Sequence, residues 1–182
     1  NLAVRIVDVR LAPGLRIGYV MGSGDEVPAT LRQLGATVDL LDSTALASAD
    51  LSRYNVILLG IRAYAARPEL PAHNARLLNY VFNGGLVIVQ YNTQEYDRNF
   101  GPFPYSMTMR ADEVSEEDSP VTLLVPTHAV FHQPNIIGPE DWQGWFEQRG
   151  SKFLTTWDSR YQPLVETHDT GQNPQQGIWL QA

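Results

Sequence analysis

Asn55-Val56-Ile57-Leu58-Leu59-Gly60-Ile61, followed at once by Arg62-Ala63-Tyr64, is the stretch on which the fold turns. A half-exposed strand alternates apolar and polar residues. This run does not, so it reads as a strand covered on both faces, as in a parallel sheet between helical layers. Upstream, Leu15 to Met21 (LRIGYVM) is a second apolar run rich in β-formers, ending at Gly22-Ser23-Gly24-Asp25. Asp25 is placed to cap a helix with Pro28 in its first turn, Ala29, Leu31 and Leu34 along its face, and Gly35 as its stop. Thr37 to Leu41 reads as a strand, and Ser43 to Leu51 as a short helix capped by Ser43 or Thr44. Downstream, Leu70, Leu77, Leu78 and Val81 give a helical stripe over Leu70 to Phe82, stopped by Asn83-Gly84-Gly85. Leu86 to Gln90 (LVIVQ) is then a fourth buried strand. Strands and helices alternating through short glycine-marked turns specify an α/β fold with a doubly wound, mostly parallel sheet.

The second half is less regular. Asn99 to Tyr105 (NFGPFPY) carries two prolines and three aromatic rings, which predicts a loop held down by ring packing. Asp112 to Asp118 holds five carboxylates in seven residues, without the glycine and ligand spacing of an EF-hand loop. Val121 to Val125 reads as a strand broken by Pro126, Asp141 to Arg149 as a helix, and Phe153 to Trp157 as a strand. Pro163 to Glu166 and Gly177 to Leu180 read as a hairpin around a Gly171 to Gln176 turn. No repeat or linker interrupts the chain, so residues 1–182 are expected to form one domain.

The 182 residues are 43% hydrophobic and 18% charged, and 13 basic against 20 acidic side chains leave a formal charge of −7. That balance disfavours nucleic acid or an anionic membrane surface as partner, because neutralising phosphate needs a basic face. The absence of cysteine excludes disulfides, Cys-ligated zinc, iron–sulfur clusters and thiol nucleophiles. No apolar run approaches the roughly 20 residues of a membrane-spanning helix. Asn1-Leu2-Ala3-Val4-Arg5 shows neither an initiator Met nor a signal peptide, so the expectation is a segment of a longer protein.

In an open parallel sheet, ligands bind beyond the carboxyl ends of the strands, where strand order reverses. Three segments should meet there. Gly22, Ser23, Gly24 and Asp25 could cradle a phosphate, but the third glycine of a dinucleotide fingerprint is replaced by Val27, and Asp25 and Glu26 bring negative charge; a plain capped turn is the better reading. Arg62 and Tyr64 could clamp a carboxylate or stack on a sugar ring, or Arg62 could neutralise Asp25 and Glu95. Gln90, Tyr91, Asn92, Thr93, Gln94 and Glu95 end a buried strand in six polar residues, which suits a neutral hydroxylated ligand or a network anchoring the Asn99 to Tyr105 loop. No metal site or cofactor is expected. His73, His128, His132 and His168 form no HExxH motif, and prolines around the His128–His132 pair argue against a ligating helix. Gly22-Ser23-Gly24 lacks the G-x-S-x-G spacing of a hydrolase elbow.

Four blocks, YVMGSGDEVPATLRQLG, YNVILLGIRAYAARPEL, LLNYVFNGGLVIVQYNTQEYD and PNIIGPEDWQGWFEQRG, resemble the glutamine-amidotransferase-like domain found C-terminal to the catalytic domain in some PIG-L family (LmbE-like) deacetylases. The likeness runs from about Leu15 to the chain end. It implies a flavodoxin-like sandwich akin to class I glutamine amidotransferases and ThuA-like proteins. The amidotransferase cysteine would fall at Tyr91, which lacks the flanking glycines of a nucleophile elbow, and a phenol with a pKa near 10 is a poor replacement for a thiolate. Glutaminase activity is therefore not expected. The A-H-P-D-D zinc motif of PIG-L catalytic domains does not occur in the sequence. A further Gly-Lys-Gly-type turn and strand is expected after Leu180, which would make the last strand an edge.

Three functions follow as expectations. The first is a non-catalytic accessory domain of a PIG-L-type deacetylase that packs on the catalytic domain or helps bind carbohydrate; family members of this kind are often exported. The second is a ThuA-like sugar-acting enzyme using Asp25, Glu95 or His128. The third is a structural or homo-oligomerisation module with an apolar surface from Trp142, Trp145 and Phe146.

Overall fold

The computed structural model describes residues 8–107, 113–144 and 150–182. Its frame is a four-stranded parallel sheet of β1 (Arg16–Val20), β2 (Thr37–Leu40), β3 (Val56–Leu59) and β4 (Leu86–Val89), in the order β2-β1-β3-β4. Register runs Ile17 to Val38 and Val56, and Val56 in turn to Leu86. The chain leaves β1 toward β2 and returns to the far side of β1 for β3, so strand order reverses between β1 and β3. This is the flavodoxin-like arrangement expected from the sequence.

Helices cover both faces. α1 (Val27–Gln33) lies on one side, where Ile17, Tyr19, Val38 and Leu58 pack with Val27 and Leu31. On the other, α2 (Ser43–Ser48), α3 (Ala63–Ala66) and α4 (Leu70–Phe82) bury Leu46, Ala63, Tyr64, Leu70, Leu77 and Tyr80 against Val20, Ile57 and Leu59. Alternate side chains of β1 and β3 thus serve opposite layers, which is why these strands show no polar period. The α2 cap is Asp42, whose side chain accepts from Ala45 N–H, rather than Ser43 or Thr44. The α2 helix stops at Ser48, and a separate 3-10 turn covers Leu51–Arg53. The four-residue α3 was not legible as a helix.

The second half folds as small antiparallel pairs. β5 (Tyr105–Met107) pairs with β7 (Leu154–Trp157), β6 (Val121–Leu123) with β9 (Val165–Thr167), and β8 (Gln162–Pro163) with β10 (Leu180–Gln181). The expected hairpin is present in shortened form, with a bridge from Thr167 to Gln175 and Leu164 N–H bonded to Trp179 O. Ring packing does hold the Asn99–Tyr105 loop. Phe100 stacks on Tyr64, Tyr105 on Tyr96, and Phe103 meets Tyr161 edge-on. In place of a helix from Asp141, a 3-10 turn spans Pro139–Trp142, and residues 145–149, with Trp145 and Phe146, lie outside the described residues. No helix among the described residues is long and apolar enough to cross a membrane.

Candidate functional site at the strand-order switch

The loops after β1 and β3 are pressed together. Ser23 N–H donates to Ile61 O at 2.8 Å, and a Cβ on Gly22 would lie 1.9 Å from that same oxygen, so only glycine fits. This contact weighs against a phosphate cradle: the Ser23 amide is spent on Ile61, and the Val27 amide on Asp25 Oδ1 at 3.1 Å. The N-cap of α1 is Glu26, not Asp25, and makes no side-chain cap bond; Asp25 instead accepts from the N–H of Val27, the first helical residue.

Beneath this closure lies a connected polar chain. Tyr19, fully buried near the end of β1, donates its hydroxyl to Asp25 Oδ1 at 2.7 Å and lies 3.3 Å from Gln90 Oε1. Asn92 Nδ2 donates to Gln90 O at 2.8 Å. The network joins the loop after β1 to the loop after β4 across the end of β3. Gly60 is the gap it passes through, for a Cβ there would stand 2.7 Å from Tyr19 Oη and 3.0 Å from Asp25 Oδ2. Burial first, and then the bond to Asp25, push the Tyr19 phenol far above its usual value, so it remains a donor at any ordinary pH.

Among the described residues, two acceptors in this network have no donor. Asp25 Oδ2 and Asn92 Oδ1 are buried and unpartnered, in a side chain (Asn92) only 5% exposed. Buried polar oxygens are rarely left so, because each costs about 1–3 kcal/mol of desolvation. A third such atom, Thr167 Oγ1, is in β9, well away in sequence.

The remaining predicted residues divide. Arg62 adopts a left-handed conformation (φ 54°, ψ 36°), its N–H bonds Tyr91 O at 2.7 Å, and its Nε reaches Glu95 at 3.3 Å. It thus staples the β3 loop to the β4 loop and pairs with Glu95; no bond to Asp25 occurs among the described residues. Glu95 also accepts from Thr93 N–H and Thr93 Oγ1. Burial acts to raise its carboxyl, but the bonds from Thr93 and Arg62 outweigh that and hold it below the usual range. Tyr64 does not join the network: α3 turns it into the core, where its hydroxyl bonds Asn74 at 2.6 Å and burial raises its pKa. Gln94 is exposed in a 3-10 turn. Tyr91 is 42% exposed and bonds Ser151 Oγ at 2.7 Å, without a left-handed backbone of its own; the non-glycine residue with positive φ beside it is Arg62.

His128 is occupied elsewhere. Its Nδ1 accepts from Val130 N–H beside a 3-10 turn over Ala129–Phe131, and its ring meets Phe131 edge-on. His132 Nε2 bonds Pro126 O at 2.7 Å, and no group of three metal-ligating side chains occurs among the described residues. Asp25, Glu95 and His128 each answer to different partners rather than to one another. The acidic run is tied down rather than open: Asp169 accepts from Ser115 N–H, Glu116 N–H and Ser119 Oγ. A concavity of about 720 Å³ lies at the opposite end of the sheet, lined by Asp50, Tyr54, Arg76 and Tyr80; Arg76 there is spent on the carbonyls of Leu46 and Ala49. Size alone does not make it the site, since its cation is already consumed.

The sequence pointed to Gly22–Asp25, Gln90 and Asn92 but missed Tyr19 and Gly60. A hydroxyl-bearing residue in an otherwise aliphatic strand, and a glycine closing the most apolar one, were the available signals.

The fold is a flavodoxin-like α/β arrangement with a buried polar network at its switch point. Among solved structures, one described as a ThuA-like protein from Bacteroides uniformis superposes with a TM-score of 0.51 at 14% identity, covering 88% of this chain and 71% of that one. At that identity the likeness establishes the shared fold. No family profile matches the chain, and no curated protein matches it.

Proposed function

We propose that this chain is a ThuA-like, carbohydrate-directed domain whose switch-point crevice receives a neutral hydroxylated ligand. The observation that carries the proposal is the pair of unpartnered buried acceptors, Asp25 Oδ2 and Asn92 Oδ1, joined through Tyr19 and Gln90. Such oxygens call for hydrogen-bond donors, and sugar hydroxyls supply several at neutral pH without adding charge. Asp25 is the central residue of this reading. Tyr19 and the Val27 amide fix one carboxylate oxygen and leave the other to accept a hydrogen bond from a ligand hydroxyl. Glu95 and His128, engaged elsewhere, are not assigned that part.

An accessory role beside a PIG-L-type catalytic domain is the narrower form of the same proposal, supported by the four sequence blocks given above. Calorimetric titration with maltose, a neutral disaccharide, and with chitobiose, an N-acetylated one, separates the two. Binding of either supports a carbohydrate site, and selectivity for chitobiose supports the narrower form. No heat from either sugar at millimolar concentration removes the carbohydrate reading.

A further inference from the structure

Tyr19 Oη stands between two oxygens, Asp25 Oδ1 at 2.7 Å and Gln90 Oε1 at 3.3 Å. A phenol has one proton to give. The shorter bond takes it, because a carboxylate is the stronger acceptor and the Val27 amide holds Oδ1 in place at 3.1 Å. No proton is then left between Tyr19 and the Gln90 oxygen, and two oxygens would face each other lone pair to lone pair. The distance agrees: 3.3 Å is too long for an O–H···O bond, which spans about 2.5–3.0 Å, and close to the N–H···O limit of about 3.2 Å. The phenol oxygen still has lone pairs to offer, and the other arm of the Gln90 amide is a donor. The two arms of a carboxamide have nearly the same shape, so the direction of the amide follows from the hydrogen bonds it can make. Among the described residues, Gln90 Nε2 has no acceptor that would keep it turned away from Tyr19.

We infer that Gln90 Nε2 donates to Tyr19 Oη and that Oε1 faces away from Tyr19 as a third free acceptor, which makes Gln90 a specificity-determining residue of the switch-point site. The ligand side of this inference rests on the carbohydrate reading above; the direction of the amide does not. Protons then run one way along the network, from Gln90 to Tyr19 and from Tyr19 to Asp25. Asn92 Nδ2 is engaged by Gln90 O at 2.8 Å, so the atoms left without a partner are all oxygens: Asp25 Oδ2, Asn92 Oδ1 and Gln90 Oε1. Such a set selects free hydroxyl groups, which donate. It rejects the same positions carrying fluorine, which is of similar size and cannot donate. The opposite amide direction would set two N–H donors where Oε1 stands and would welcome a ligand oxygen instead.

Nuclear Overhauser spectra of the labelled protein test the amide direction with no ligand present. The expected result is a strong cross-peak from a Gln90 side-chain N–H to the Tyr19 ring protons beside the hydroxyl, with that N–H resonance moving upfield in Tyr19→Phe. Gln90 N–H protons without a cross-peak to Tyr19 overturn the inference. The role in specificity is read by calorimetry with maltose and its singly fluorinated deoxy analogues. An analogue that loses a hydroxyl bonded to one of the three oxygens should bind roughly 10-fold or more weakly. Gln90→Met, which keeps the chain length and removes the amide, should erase that discrimination at one sugar position and leave it at the others. Equal weakening of every ligand in Gln90→Met marks a merely structural side chain and overturns the specificity role. The Tyr19 cross-peak without binding of maltose at millimolar concentration removes the carbohydrate reading and leaves the amide direction standing, so the two failures are distinct.

Discussion

Tyr19→Phe removes one oxygen from near the end of β1 and tests how the switch-point network is held. The ring stays in its apolar layer with Ile17, Val38 and Leu58, so shape and packing are preserved. Two contacts are lost, the 2.7 Å bond to Asp25 Oδ1 and the longer one, at 3.3 Å, to Gln90 Oε1. A bond to a carboxylate is worth about 1.5–3 kcal/mol net and a long neutral one about 0.5 kcal/mol. The expected loss is therefore about 2–3.5 kcal/mol, a large share of a typical domain's stability. Urea denaturation should show a lower midpoint with an unchanged slope. The attribution is checked by the cycle with Asp25→Ala: if the Tyr19–Asp25 bond is the source, the double variant loses about 1.5–3 kcal/mol less than the sum of the singles. Additivity within about 0.5 kcal/mol would refute the bond as the organising contact of the site.

Two further outcomes follow from the same coordinates. Gly60→Ala should cost about 1–3 kcal/mol in the same assay and abolish sugar binding, since its Cβ meets Tyr19 Oη at 2.7 Å and the Gly22 amide nitrogen at 2.9 Å. Asp169 concerns acid stability. Burial alone would raise it, but donors from Ser119, Ser115 and Glu116 bring its carboxyl from the ordinary 3.8 to about 2. A depressed carboxylate stabilises the fold fully above its unfolded value and loses that contribution as pH falls through about 4 toward 2. Thermal melts of Asp169→Asn should show a lower melting temperature than the parent at pH 7 and a gap that narrows by pH 2; a gap constant with pH contradicts the clamp.

The first half was legible because its strands are continuous apolar runs bounded by glycine, and Leu70–Phe82 was read to the residue from its stripe. Position along a parallel sheet then placed Gly22–Asp25, Gln90 and Asn92 at one end. Tyr64 was misplaced because residue order does not reveal that the chain turns straight into α3, which swings the ring under Phe100. Tyr19 was passed over because a tyrosine inside a strand reads as core until its hydroxyl partner, six residues on in Asp25, is seen. The second half owes its shape to pairs such as β5 with β7, some 50 residues apart and too short to carry a period. The last strand was expected to be an edge, and β10, which among the described residues pairs with β8 alone, is one.

The central claim, that the β1/β3 switch point is the ligand site, is tested most directly by mapping amide shifts while maltose and chitobiose are titrated to millimolar concentration. The account predicts that shifts centre on Ser23, Asp25, Gln90 and Asn92 and vanish in Asp25→Ala. Shifts that instead fall around Asp50, Arg76 and Tyr80, at the opposite end of the sheet, would contradict it.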